Sequence, residues 1–397
     1  MRLALLGGGN EAANLAVAAA RLGHSVVALC DMPAGDPLES SPLAARASHT
    51  HWEDLLGGLA EAVIVGRTSA DPAAREDQLR KLVQQAVPLA VVHPGCEAIT
   101  GFELEMIRRD LGASIASYLP ILWDPAIAEL EALFGAEGRL GPMRQVGLER
   151  EGRAVSLEEI WNLLAGDIEL VRRWFGPIRL VSALGTPPEQ LMVQATTVGG
   201  AAAQWSFGPV LRSAGVRIAL TGAGGKAVLA LTDEAGSTSR SLQIVDQASE
   251  ETREIAAGDP AARFLEGWLG KGDSAEAISV PKPEWAAACR DVETAETARH
   301  SLRRNKTLEL YHEEHSEQQT FKGMMAAGGC LALLLTLAAF LVAMLLDSLL
   351  PLREFGWWRA WPVCVFAPLG IFLLLQAVQV ILALDRRHGS KERPPES

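Results

Sequence analysis

No two cysteines form a C-x-x-C pair: the five, Cys30, Cys96, Cys289, Cys330 and Cys364, are scattered and odd in number. That excludes a disulfide framework or zinc site legible from spacing and fits a reducing compartment. A basic surplus is missing too. The formal net charge is −12, which argues against a nucleic-acid partner, because phosphate binding needs a basic face. No secretory leader is expected, since LALL runs straight into GGG without a cleavage site, and the N-terminal body is expected in the cytoplasm. There is no internal repeat or low-complexity linker. His312 and His315 lie in an acidic stretch, HEEHSEQQ, with no third ligand at a useful spacing, so no metal is expected.

Charge is absent altogether from two C-terminal runs, residues 324–346 and 361–384. Each exceeds the roughly 20 residues that cross a bilayer as a helix. Pro368 would kink the second, and Gln376 and Gln379 share a face able to hydrogen-bond a neighbouring helix. Arg303, Arg304 and Lys322 precede the first run, and DRRHGSKER follows the second. The connecting loop, residues 347–360, holds only Arg353 and Arg359. Positive-inside logic places both termini in the cytoplasm and the loop outside, with Trp357, Trp358 and Trp361 at the outer interface. The expectation is a cell-membrane protein with two spans, a connector over 312–323, a basic tail over 385–397 and a cytoplasmic body.

In the body, apolar runs alternate with helical stretches. RLALL (2–6), SVVAL (25–29), EAVIV (61–65), LAVV (89–92) and 113–117 are expected strands, with helices over 10–22, 75–85 and 103–111 between them. Uniformly apolar strands alternating with helices predict an α/β fold with a parallel Rossmann-type sheet over 1–119. Helices are expected over 125–134 and 156–175, the latter opened by an S-L-E-E capping box and interrupted at Gly166. The runs IRLVSALG, QLMVQATT, AAQWSF, VRIALTG and KAVLALT then follow without helices. They predict an open, mostly antiparallel sheet, making 120–311 an α+β domain closed by a helix over 285–304. TGAGGKA is expected to be a hairpin turn, and the body's tryptophans to be core or interface.

Gly7, Gly9 and Ala12 match G-x-G-x-x-A between the first strand and first helix. Gly7 would form the tight turn, Gly9 would admit a pyrophosphate, and Ala12 would let helix and strand pack closely. The helix N-terminus from Asn10 offers N–H groups and a positive dipole end. Asp31, ending the second strand, would accept hydrogen bonds from an adenosine ribose and repel a 2′-phosphate, which favours NAD over NADP.

Over residues 1–311 the chain resembles the glucose–fructose oxidoreductase, inositol dehydrogenase and MocA family. The resemblance rests on this fingerprint and on WEDLLGG…EAVIVG, PAIAELEALFGAEGRLGPMRQV, DIELVRRWFGPIRLVSA, VRIALTGAGGKAVLAL and WAAACRDVETAETARHSLRRNKTLEL. It implies an NAD(P)-dependent oxidoreductase acting on sugars or cyclitols and pairing through the open face of its second sheet. The family's E-K-P motif corresponds here to Val92, His93 and Pro94, so histidine replaces the lysine while Pro94 remains as a cofactor-binding candidate. Gly166 stands where the family carries a histidine, Glu169 replaces its aspartate, and the arginine expected near Tyr118 is missing. The expectation is a membrane-anchored NAD-binding protein, a sugar or cyclitol dehydrogenase with a degenerate catalytic motif. His93 would serve as substitute acid–base, assisted by Asp167 or Glu169, which lie on different helix faces. The alternative is a catalytically inactive NAD(H)-binding scaffold or sensor at the inner membrane surface.

Overall fold

A computed structural model describes residues 1–310 apart from 39–40, 46, 136–137, 153–155, 210–213, 235–236 and 271–283, together with residues 334–342 and 344–346. The chain divides into two units, Met1–His312 and Glu313–Ser397.

The first unit opens with β1 (Arg2–Leu6), α1 (Asn10–Arg21), β2 (Ser25–Cys30), β3 (Ser48–His49), β4 (Ala62–Val65), α2 (Arg75–Gln84), β5 (Leu89–Val92), α3 (Ala98–Leu111) and β6 (Ile115–Tyr118). The six strands pair in parallel in the order β3-β2-β1-β4-β5-β6. AVIV and LAVV are buried throughout, as strands covered on both faces require. Helix α1 turns Ala12, Leu15, Ala16 and Ala19 inward at helical spacing. WEDLLG forms a 3-10 turn, Trp52–Gly57.

The chain continues with α4 (Pro125–Ala132), β7 (Met143–Gly152), α5 (Leu157–Phe175), β8 (Ile178–Thr186), β9 (Gln190–Thr197), β10 (Ala202–Pro209), β11 (Ala214–Gly222), β12 (Gly225–Glu234), β13 (Ser237–Asp246) and β14 (Glu250–Glu254). Helices α6 (Pro260–Leu269) and α7 (Trp285–Arg304) and strand β15 (Leu308–Glu309) close it. The nine strands follow the order β14-β13-β12-β11-β7-β10-β9-β8-β15. All pairs are antiparallel except β7 with β10, so the sheet is mixed. TGAGGKA is the turn between β11 and β12. Ser156 accepts from the Glu159 N–H at 3.2 Å, which caps α5. Gly166 does not interrupt that helix, because its missing side chain makes room for Leu119, whose Cδ1 would lie 2.9 Å from an added Cβ.

The expected linear boundary at 119 misses two returns of the chain. Phe264 and Leu265 of α6 complete the core cluster behind α1, and Trp285 and Cys289 of α7 complete the cluster on the other face of the first sheet. The Phe264 ring lies tilted against that of Tyr118, with centroids 4.8 Å apart. Each face of a parallel sheet needs helical cover, and here part of it comes from late in the chain.

Gly66, directly after β4, packs against the glycine loop: an added Cβ would lie 2.3 Å from the Gly8 carbonyl oxygen and 2.7 Å from its nitrogen. Gly66→Ala is therefore expected to lower stability by about 1–3 kcal/mol through overpacking against backbone, read as a lowered thermal midpoint. An unchanged midpoint would show that the two loops separate freely.

Among the described residues no helix is long and apolar enough to cross a membrane. The expected second span, 361–384, the connector, the loop and the tail lie outside the described residues. Of the first span, 334–342 and 344–346 are described, as helix.

Candidate functional site

The site is built at the C-terminal edge of the first sheet. Gly7 and Gly9 adopt φ of +74° and +112°, which side-chain-bearing residues rarely tolerate. The segment after β4 crosses this edge. The Gly8 N–H donates to the Thr68 carbonyl at 2.9 Å, the Thr68 N–H returns to the Gly8 carbonyl at 3.2 Å, and Ala70 N–H reaches the Asp31 carbonyl at 3.1 Å. Arg75, buried beneath, donates to the Leu6 carbonyl at 2.9 Å and to the Thr68 carbonyl and Asp31 Oδ2 at 3.2 Å each.

A second segment reaches the same loop. Asp36 Oδ2 accepts from the Gly9 N–H at 2.7 Å, and Oδ1 from the Leu38 N–H at 2.9 Å. The first-turn N–H groups of Asn10, Glu11 and Ala12 are those a helix leaves without an intrahelical partner. A carboxylate on Gly9 stands in for a phosphate oxygen. The loop is thus an anion site by its own contacts, and its residues fit the phosphates of a dinucleotide.

Asp31 is held more closely than the ribose role requires. It sits at φ +52°. Its carboxylate accepts from the Ser69 hydroxyl, from the Asp71 N–H at 3.0 Å and from Arg75. The Arg75 cation beside it weakens the charge argument for NAD over NADP, since a 2′-phosphate would meet a neutralised carboxylate.

His93 and Glu169 are brought together, and Asp167 is not. His93 directly follows β5 and is 4% exposed. Its ring hydrogen-bonds the Ala165 carbonyl, while Nε2 finds no partner. Burial pushes the imidazole down to about 4, against the opposing pull of Glu169. The two line a small space of about 10 Å³ with Ser117, Leu119 and Asp291, roughly the room of one water. Arg172 clamps both carboxylates there, donating to Glu169 and to Asp291 Oδ1 at 2.9 Å. Burial raises Asp291 well above the usual carboxylate range. Burial alone would raise Glu169 too, but hydrogen bonding from Asp291 and the Arg172 charge lower it.

Asp167, on the opposite face of α5, is fully buried rather than solvated. It receives Arg150 of β7 in a fork, with NH2 to Oδ1 at 2.6 Å, and Trp205 Nε1 at 2.7 Å. It ties the helix to the sheet.

Pro94 lines an open cleft of about 590 Å³ between the loop after β5, α5 and α7, with Arg67, Trp161, Asn162, Glu296, His300 and Arg303. That volume suits a small ligand. His93 is not among its walls. Arg67 closes one end, donating to the His93 carbonyl at 2.7 Å and pairing with Glu11 at 3.4 Å. Asp36, Thr68, Arg75, Arg172 and Asp291 were not singled out from the sequence. Among the described residues no group of three or more His, Cys, Asp or Glu is placed to hold a metal, and Cys30, Cys96 and Cys289 are free thiols.

No protein-family profile and no curated protein matches the chain in sequence. Solved structures do match. An oxidoreductase from Agrobacterium radiobacter in complex with NAD+, L-tartaric acid and magnesium aligns with a TM-score of 0.62 at 14% identity, over 78% of this chain and 98% of that one. A candidate myo-inositol dehydrogenase from Sinorhizobium meliloti aligns at 0.60 and 15%, over 78% and 100%. An NAD-binding oxidoreductase from Klebsiella pneumoniae aligns at 0.59 and 12%, over 79% and 99%. The first unit therefore shares the fold of these structures, a parallel Rossmann-like sheet followed by a mixed one.

Proposed function

We propose that the chain is a nicotinamide-dinucleotide-binding protein on the oxidoreductase fold, which takes a sugar- or cyclitol-like ligand in the cleft beside Pro94 with its turnover suppressed. Dinucleotide binding is supported by the anion-binding glycine loop and by the NAD-bound and NAD-binding proteins among the structural neighbours. The observation that carries the suppressed turnover is the place of His93, buried and neutral outside the cleft. A bound nicotinamide supplies a hydride donor or acceptor. Of the chain's own residues, Asn10 and Glu11 would hold phosphate and Pro94 would pack at the nicotinamide end. His300 and Arg303 would orient the hydroxyls of the ligand. His93, at the place of the family's lysine, does not line the cleft, and general acid–base help is worth about 10²–10⁴-fold.

The test is purified full-length protein with NADH, NADPH and a polyol panel. The expected result is saturable nucleotide binding with polyol oxidation slower than an intact family site by about that 10²–10⁴-fold. Fast turnover abolished by His93→Ala would contradict it and make His93 the working base.

Two further parts belong to this proposal. The first is a membrane tether through residues 324–384. The helical stretch within it leaves Leu334, Leu335, Leu337, Leu341 and Leu345 exposed, a surface that lipid would cover. The second is pairing of two copies through the second sheet, whose outer face carries Glu149, Arg217 and Gln243 around a shallow groove.

A further inference from the structure

We propose that Asp36 is an internal anion competing with the dinucleotide phosphates for the glycine loop, so that a dinucleotide enters only when this carboxylate swings away. The proposal rests on the dinucleotide reading above and adds a residue that sets affinity.

Three observations carry it. First, Asp36 takes the donor that close approach at Gly9 would offer a phosphate, at 2.7 Å. It lies so tightly on the loop that a Cβ at Gly8 would come within 1.8 Å of Oδ2. Two anions cannot share that N–H, and like charges a few ångströms apart disfavour each other strongly. Second, Asp36 is 6% exposed and is held from behind by the Leu38 N–H, while Leu38, 1% exposed, is anchored in the core behind α1. The backbone is therefore fixed, and rotation of the Asp36 side chain is the motion that clears the loop. Third, Asp36 engages only the Gly9 N–H and leaves those of Asn10 and Glu11 to a larger ligand. A pyrophosphate group can take all three, and so gains contacts on displacing the carboxylate that a lone small anion does not. Apparent affinity is the intrinsic affinity scaled by the fraction of molecules with the loop cleared.

The experiment is an NADH titration of the full-length wild type, Asp36→Ala and Asp36→Asn, following energy transfer from tryptophan to the nicotinamide, with circular dichroism to confirm that each is folded. Thermal unfolding with inorganic pyrophosphate is run in parallel. Losing a charged acceptor from the loop is expected to tighten NADH by about tenfold or more in Asp36→Ala. Asp36→Asn, which keeps an oxygen toward the Leu38 N–H but no charge, is expected to fall between. Pyrophosphate should stabilise Asp36→Ala more than the wild type. Equal or weaker NADH binding by both variants, with the wild type binding well, overturns the proposal and leaves the dinucleotide reading standing. No binding of NADH by any of the three folded proteins overturns both.

Discussion

Asp167→Ala is expected to lower folding stability by about 3–5 kcal/mol, the usual result of breaking a buried ion pair by removing one partner. The carboxylate is completely buried and accepts both arms of the Arg150 fork and the Trp205 indole N–H. Its removal leaves a guanidinium and an indole donor facing a cavity between α5 and the second sheet. The Arg150 side chain retains 19% exposure, so water can reach part of the stranded charge and the loss should fall toward the lower end. Denaturant unfolding of the full-length chain in mild detergent measures it. A loss smaller than an ordinary neutral hydrogen bond, about 1 kcal/mol, would show that Asp167 is not a structural tie and would reopen its candidacy as an acid.

The second large effect is a pH dependence set by His93. Burial lowers its folded-state value to about 4, below the ordinary 6.5. The unfolded chain therefore binds the proton first as pH falls. The stability that His93 contributes is fully present above pH 6.5 and is lost as pH drops toward 4. At about 1.4 kcal/mol per pH unit across that window, the loss approaches about 3 kcal/mol. Asp291 works in the opposite direction. Its raised value favours the folded state most at low pH and loses that contribution as pH rises. Glu169, held low, loses its contribution only on further acidification, below the normal carboxylate range. The measured quantity is therefore the difference between the unfolding curves of wild type and His93→Gln. That difference should shrink as pH falls from neutrality to 4. A difference independent of pH would mean that the imidazole titrates normally and is open to solvent.

The layers of the fold were legible because two periodicities are clean. RLALL, EAVIV and LAVV are apolar at every position, and QLMVQATT and VRIALTG alternate. The strands that escaped notice, β3, β7, β13, β14 and β15, are short or carry many polar residues, such as the Glu and Arg of MRQVGLEREG. Their place in the sheet is decided by partners and not by local pattern. Helix α6, PAARFLEGWL, was missed although Asp259 caps it; its apolar stripe makes sense only against α1, far away in the sequence.

The site was legible to the same extent. The positions of Gly7, Gly9 and Ala12 followed from spacing, because the turn between a strand and a helix is a local matter. What the carboxylates do was not local. Asp31 looked like a ribose ligand until Ser69, Asp71 and Arg75 came to it from beyond β4. Asp36 gave no signal, since its partner, Gly9, lies 27 residues away. Asp167 and Glu169, two positions apart, face different layers, as helical geometry requires. One serves the second sheet and the other the space beneath His93.

The central claim, that the glycine loop holds a nicotinamide dinucleotide whose nicotinamide end reaches Pro94 at the edge of the cleft, is tested most directly by backbone hydrogen exchange of the full-length protein with and without saturating NADH. The account predicts slowed exchange in two separated segments, the first turn of α1 at Asn10–Ala12 and the stretch from Gly95 through Glu97. Unchanged exchange in both, or protection confined to surfaces away from the C-terminal edge of the first sheet, would contradict it.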